Sequence, residues 1–519
     1  MKRRAASLAA GRLATLVAVL LAVSACDGAR TETTSVDREH PRSDATTFAA
    51  DALDTSPPPD ARDTSTNPDT AVSDMPDDPG PDVIDTTNTT DPSDTTDTTD
   101  PSDTPDTTDP SDTTDTTDSS DTTDTTDTDT VPPPTGTPSD PIPLGHFPFV
   151  YADDTRLAAS RALDRYTCAP NTNESGPERV FVFDVTASGT LTAEVAESTG
   201  VDVDLHLLTA DPALAPAAAV PCLARANTKL VQDLAPGRYY LAIDTYVAAA
   251  GEKAGAYRVA VEWVVPDAWQ VVPVAPGIVW KQKVYASYAG GRQTINVLDV
   301  DLAEPTVTVR PQGGQGCLRA STTAPVEGAI AAINAGFFDT GPGTCPPLDL
   351  IKIEGRVVSL NHLTGAAQRS FGVDQAMTPM VAWIDANRDW PAAWSALGSY
   401  PSLVIGGQIV IEPEKDTSFF TSRHPRSALG LTADEHLLLV TVDGRTAAGA
   451  GMTMRALAQH MVNLGAVEAM NLDGGGSTAL WIRDQSLNGI VNFPSDNDAA
   501  DHLGERAVSD LLLVFSRAP

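Results

Sequence analysis

Short apolar runs broken by Gly, Pro and Asp fill the chain from about residue 141 to 265, and nothing there repeats at helical spacing. Arg179–Thr186 is apolar on both faces, with Val180 and Val182 on one and Phe181, Phe183 and Val185 on the other. Leu191–Val195, Val203–Leu208, Lys229–Leu234, Tyr239–Ile243 and Tyr257–Trp263 read as further strands. Strands at this spacing predict an antiparallel β-sandwich over 141–265. From 268 to 517 the pattern is mixed. Thr306–Arg310 reads as a strand, Ala324–Ile333 as a short helix or turn entering one, and His436–Val442 as a strong strand. Met454, Leu457, Ala458 and Met461 form an apolar stripe between a capping Thr453 and a stopping Gly465, which predicts a helix to Leu464. Val467–Leu472 and Val508–Phe515 read as buried strands. The expected fold is multidomain: the sandwich, then an α+β domain with a mixed central sheet.

Charge changes the picture only before these domains. Residues 43–140 hold 26 Asp against the single base Arg62, so this stretch carries 25 of the net −36 and the remainder about −11. Repeats of Asp-Thr-Thr and Asp-Pro-Ser-Asp leave too little apolar surface to offset ordering entropy, so 26–140 is expected to be a disordered tether. Such an acidic segment excludes nucleic acid as a partner. Ahead of it, Lys2, Arg3, Arg4 and Arg12 precede the apolar run Leu13–Val23, too short to span a bilayer comfortably. Val23-Ser24-Ala25-Cys26 resembles a bacterial lipobox. Residues 1–25 are therefore expected to be a lipoprotein signal peptide and Cys26 a lipidated residue, its acyl chains the only membrane contact. The location expected is the bacterial cell envelope, facing periplasm or exterior. Export also suggests disulfides. Cys168 and Cys222 fall in the sandwich, Cys317 and Cys345 in the following domain, so those two pairings are expected.

Four stretches of the second domain place functional groups at strand ends. Asn471-Leu472-Asp473-Gly474-Gly475-Gly476-Ser477 delivers a carboxylate and three glycines, fit for a ligand docked on main-chain N–H groups. It has no lysine for a P-loop and no nucleophile-elbow order, which weakens Ser477 as a nucleophile. Ile333-Asn334-Ala335-Gly336-Phe337-Phe338 pairs an amide with aromatic faces suited to a sugar ring. Pro425-Arg426-Ser427 and Val442-Asp443-Gly444-Arg445 supply guanidinium forks for phosphate or carboxylate. Gly504-Glu505-Arg506 pairs an acid and a base before the last strand. In the sandwich, Asp202 and Asp204 read as solvated turn acids rather than calcium ligands. No metal and no cofactor are expected.

These motifs, taken in their order along the chain from Ile333 to Arg506, resemble the phosphodiester glycosidase family. Ala335 departs from the glycine common there, adding only a methyl group. Asp202-Val203-Asp204-Leu205-His206-Leu207 and Leu234-Ala235-Pro236-Gly237-Arg238-Tyr239-Tyr240 resemble the bacterial pre-peptidase C-terminal domain, an accessory module of secreted hydrolases. The first resemblance implies hydrolysis of a sugar-1-phosphodiester, with a glycan or glycosyl phosphate as substrate. Glu505 is then the expected catalytic carboxylate and Asp473 the other candidate. Asn334, Phe338, Arg426, Asp443, Arg445, Gly474, Gly475, Gly476, Ser477 and Arg506 are the expected substrate-binding residues. Another glycosidase or phosphodiesterase activity on the same scaffold, or a non-catalytic surface carbohydrate-binding protein, stays open.

Overall fold

A computed structural model describes residues 132–517 apart from 216–218, 342 and 412–416. The expected signal peptide, Cys26 and nearly all of the expected tether lie outside the described residues. Described residues 135–140, assigned to the tether by composition, form a turn in which Gly136 O accepts from Val180 N and Thr135 O from Arg179 Nη1. The sandwich therefore begins a few residues before its sequence boundary.

One sandwich sheet runs Ile142–Pro143, Arg179–Val185, Gly237–Thr245, Val203–Leu208, Ala224–Ala226; the other runs Phe149–Asp154, Ala256–Val264, Gly189–Glu197, Lys229–Leu234. Phe181, Phe183, Leu205, Leu207 and Ile243 meet Leu191, Val195, Val259 and Trp263 between them. Val180 faces the other way, into a small core with Tyr166, Leu208 and Val220, as the two-faced apolar strand requires. Asp204 is not a solvated turn acid: it lies buried within its strand.

The second domain is built on an eight-stranded sheet, ordered Trp269–Ala275, Ile278–Tyr288, Gly291–Asp301, His436–Val442, Arg426–Thr432, Ala466–Asn471, Ser402–Ile405, Gln408–Ile409. Leu437 and Leu439 pack on one face; Leu438, Val440 and Val442 pack on the other against Leu457, Ala458 and Met461 of the helix Met454–Asn463. Burial of both faces explains why His436–Val442 is a continuous apolar run. Thr453 Oγ1 caps that helix, accepting from Ala456 N at 3.2 Å, and Gly465 ends it at φ +93°. The expected mixed sheet is instead antiparallel in every pairing among the described residues. The strand–helix–strand connection that suggests a parallel pair passes over a neighbour. His436–Val442 and Ala466–Asn471 flank Arg426–Thr432, and each is antiparallel to it.

A four-stranded sheet (Val307–Leu318, Val508–Ser516, Ala331–Asn334, Leu480–Ile482) packs against the first through Val309, Ile333, Leu480 and Leu512. A five-stranded sheet (Arg356–Ser359, Ile351–Ile353, Ser395–Gly398, Gln368–Val373, Pro379–Ile384) adds Phe371 and Leu397 to the same core. The helix expected near Ala324 spans Ala320–Glu327 and ends at Gly328, with φ +76°. Both expected disulfides, Cys168–Cys222 and Cys317–Cys345, are formed.

Candidate active site

The chain leaves the large sheet at Leu472, where Leu472 N donates to Ser427 O at 2.9 Å. One residue on, Asp473 N donates to Ala335 O at 2.8 Å. The acidic turn is thus sewn between the eight-stranded and four-stranded sheets. Asn334, buried, completes the seam: its Nδ2 donates to Asp473 O at 2.5 Å, and its Oδ1 accepts from Ser427 Oγ at 2.7 Å and Ala479 N at 3.1 Å. Asn334 therefore positions the turn rather than facing a ligand with a free amide.

The glycines differ from the expected backbone cradle. Gly474 N donates to the Asp473 carboxylate at 2.9 Å and Gly475 N to Pro425 O at 2.9 Å, so two of the three amides serve the turn itself. What the glycines provide is closeness. A Cβ on Gly475 would lie 3.0 Å from Arg445 Nη2, and one on Gly476 would lie 2.3 Å from Arg506 Nη2. Two guanidinium groups approach the turn directly over its bare backbone.

On one side stand Arg426, Arg445 and His424. Arg426 is 2% exposed and donates to three carbonyls: Met452 at 3.0 Å, Phe419 at 2.8 Å and Ser422 at 3.2 Å. No carboxylate pairs with Arg426 or Arg445 among the described residues. Burial and the neighbouring Arg445 lower Arg426 to about 10, and burial with both arginines lowers His424. Neutral His424 accepts from Arg445 Nη2 at 3.0 Å. An unpaired cationic wall of this kind is a site for an anion. Phe419 lies over Arg426, and Phe337 meets Phe419 edge-on at 6.1 Å, adding an apolar flank.

On the other side lie carboxylates. Asp473 is partly exposed and accepts from the Ser477 hydroxyl; burial raises it to about 6 against that bond and Arg506. Behind it sit Asp349 and Asp510, each 1% exposed. Gly336 lets them close in, because its Cβ would meet both carboxylates at 3.3 Å. Gly336 N donates to Asp510 at 3.0 Å, while Phe337 N and Gln368 Nε2 donate to Asp349 at 2.7 and 3.1 Å. Burial, aided by Asp510, raises Asp349 to about 7; burial also raises Asp510. Burial thus pushes all three carboxyls toward the neutral form, by different surroundings, a graded set that suits acid–base work.

Arg506 forks onto Asp496 at 2.6 and 2.7 Å and reaches Ser477 Oγ at 3.5 Å. Glu505 lies elsewhere: its carboxylate accepts from Ser321 N at 3.2 Å and from Ser321 Oγ, capping the helix Ala320–Glu327. Asp443 is fully buried, bound by Phe493 N at 2.9 Å and Asn492 Nδ2 at 3.2 Å. Phe338 packs into a core with Ala320 and Cys345, although its edge borders a small cavity shared with Arg506 and Ala507. The structure thus gathers Asp473, Gly474, Gly475, Gly476, Ser477, Arg426, Arg445 and Arg506, supports them with Asn334, and turns Glu505 and Asp443 to framework bonds. Sequence reasoning missed Asp349, Asp510, Asp496 and His424. Asp510 had a signal, an acid inside an otherwise apolar strand.

Residues 327–515 match the family model of the phosphodiester glycosidases. The chain is 26% identical over 257 residues to the mouse N-acetylglucosamine-1-phosphodiester alpha-N-acetylglucosaminidase, covering 44% of this chain and 48% of that protein. The catalytic domain of the zebrafish protein of the same name, auto-inhibited by its pro-peptide, aligns at 20% identity over 49% of this chain and 89% of that one, with a TM-score of 0.38. The pre-peptidase C-terminal domain of a Bacillus anthracis collagenase aligns at 16% identity over 23% of this chain and 91% of that domain, with a TM-score of 0.15. The chain spans less than half the length of each curated relative it matches.

Proposed function

We propose that the C-terminal domain hydrolyses sugar-1-phosphodiesters, in envelope or extracellular glycans, releasing the sugar and leaving a phosphomonoester on the acceptor. The observation that carries this reading is one turn flanked on one side by unpaired guanidinium groups and on the other by a graded set of carboxyls. Cleavage of the C1–O bond puts positive charge on the ring and negative charge on the departing phosphate. Arg445, with Arg426 behind it, holds that phosphate charge. Asp473, ionised near neutral pH and partly exposed, faces the anomeric carbon or activates water there. Burial, with a smaller push from Asp510 behind it, raises that carboxyl toward the neutral form. Glu505, as a helix cap, serves this scheme by holding Arg506 in place. The vertebrate relatives, named as N-acetylglucosamine-1-phosphodiester alpha-N-acetylglucosaminidases, support the same reaction class.

Anchoring through Cys26 to the cell envelope is part of the proposal and rests on the lipobox resemblance. Replacing Cys26 with Ser should release the protein from membranes; unchanged membrane association would remove the anchor.

The reaction itself is tested with the full chain and a nucleotide sugar in ¹⁸O-labelled water, scoring free sugar and free phosphomonoester. Label entering the sugar is expected. Label entering phosphate would make the domain a phosphodiesterase, and absence of turnover together with tight glycan binding would make it a binding protein. Asp473→Asn is expected to lower kcat by about 10²–10⁴.

A further inference from the structure

The sandwich buries a second group of ionisable side chains that the chemistry above does not use. Along Val203–Leu208, Leu205 and Leu207 enter the sandwich core, which places Asp204 and His206 on the opposite face of the sheet. The preceding loop folds over that face. Tyr166 stacks on His206 with ring centroids 3.6 Å apart, and Cys168–Cys222 fastens the cover. Beneath it lie Glu174, Glu178, Asp204 and Asp244, none more than 1% exposed. One base reaches them, Arg225, whose Nη2 sits 2.6 Å from Asp204 Oδ2. Asp244 is satisfied by Tyr166 OH at 2.5 Å and Thr245 N at 2.8 Å, and Glu178 accepts from Ala162 N at 3.0 Å.

Glu174, Asp204 and His206 are different. Both oxygens of Glu174, both ring nitrogens of His206 and Oδ1 of Asp204 are buried with no hydrogen-bond partner. One ligand atom from each lies within 4.8 Å of the others. Converging buried acceptors without donors are costly unless a cation sits among them. A proton shared between Glu174 and Asp204 would satisfy the carboxylates yet leave the imidazole bare. His206 Nε2 is 3.6 Å from Glu174 Oε1, too long for a hydrogen bond. It is near the edge, roughly 3.4 Å, of a tetrahedron with metal–ligand bonds of about 2.1 Å.

We propose that Glu174, Asp204 and His206 bind a divalent transition-metal ion of the zinc class. An imidazole beside two carboxylates suits zinc; calcium takes oxygen ligands. The ion joins the covering loop, through Glu174, to the sheet strand, through Asp204 and His206. It works alongside the disulfide as a second clamp on the same cover.

The test uses the full chain, stripped with EDTA and dialysed against zinc, with metal per chain measured by mass spectrometry and unfolding followed thermally. The proposal expects bound zinc, a higher thermal midpoint, and at least a 100-fold loss of zinc affinity in Glu174→Gln and in His206→Gln. Should His206→Gln fail to fold, the near-isosteric Glu174→Gln and the cobalt spectrum of the parent chain still decide. Cobalt is expected to give visible d–d bands without thiolate charge transfer. The proposal is overturned if the folded chain takes up no zinc, if Glu174→Gln binds it as tightly as the parent, or if calcium is preferred. Thiolate charge transfer would also overturn it, by placing the metal on reduced Cys168 and Cys222.

Discussion

Each glycine after Asp473 is hemmed in by a different neighbour. A Cβ at Gly474 would lie 2.8 Å from Pro425 O, at Gly475 3.0 Å from Arg445 Nη2, and at Gly476 1.8 Å from Asp496 Oδ1. Gly475 also has φ +62°. Gly476→Ala must therefore push the Arg506–Asp496 pair aside, and kcat/KM on a sugar-1-phosphodiester should fall about 10²-fold while the chain stays folded. Wild-type turnover in this variant would separate Arg506 from the chemistry. The carboxyls set the pH profile. If Asp473 works ionised, kcat/KM rises through about pH 6; if the group behind it must keep a proton, activity falls through about pH 7, the position of Asp349. Asp349→Asn should abolish the alkaline fall and keep the acidic limb. An unaltered bell in that variant would take Asp349 out of the scheme.

At the scale of strands and turns, Asn334 joins the ends of two sheets to the acidic turn. Asn334→Ala strands Ala479 N and the carbonyl of Asp473, and should cost about 2–4 kcal/mol in denaturant unfolding along with most activity. Asp443 tests burial against function. Its Oδ2 has no partner, and burial raises its folded pKa to about 7. The folded chain keeps a proton there that the unfolded chain has lost, so Asp443 favours folding at low pH and loses that contribution as pH rises through about 7. The stability of Asp443→Asn relative to the parent should rise between pH 4 and pH 8, by on the order of 1–2 kcal/mol, with activity retained. Loss of activity at unchanged stability would return Asp443 to the binding site.

Much of this level was legible in the chain. Two-residue alternation and turn residues marked the sandwich strands, and Thr453 and Gly465 bounded the helix within a residue. Sheet order was not legible, because the crossover from Val442 to Ala466 does not encode which strand lies between its ends. Asp349 was lost in a Pro-Pro-Leu-Asp-Leu loop whose ligands come from Phe337 and Gln368, and only folding brings those near. Glu505 sits next to Arg506 in sequence, yet its carboxylate turns to Ser321 while Arg506 turns to Asp496, a split that adjacency does not reveal.

At the scale of the whole molecule, the sandwich touches the C-terminal domain through charge. Arg258–Asp484, at 3.2 Å, is an exposed pair and contributes little. His502 is buried, donates from Nε2 to the Glu262 carboxylate 3.2 Å away, and stacks on Phe493. Its Nδ1 lies 2.8 Å from Asn492 O, and the Asn492 side chain holds Asp443, so the contact runs from the sandwich to the turn bearing Arg445. Burial opposes charge on both partners, but each stabilises the other: His502 rises above its ordinary 6.5 and Glu262 falls below 4.5. The His502 contribution is complete below about pH 6.5 and lost as pH climbs through the raised value. The Glu262 contribution is present above about pH 4.5 and lost as pH falls through the lowered one. The pair is therefore strongest near pH 5.5, where it contributes roughly 1–2 kcal/mol. In scanning calorimetry the two domains should melt more nearly as one unit at pH 5.5 than at pH 8.5. Glu262→Gln should remove that difference while leaving the acidic limb of activity in place. A parent and variant with the same pH dependence of melting would show that this contact does not couple the domains.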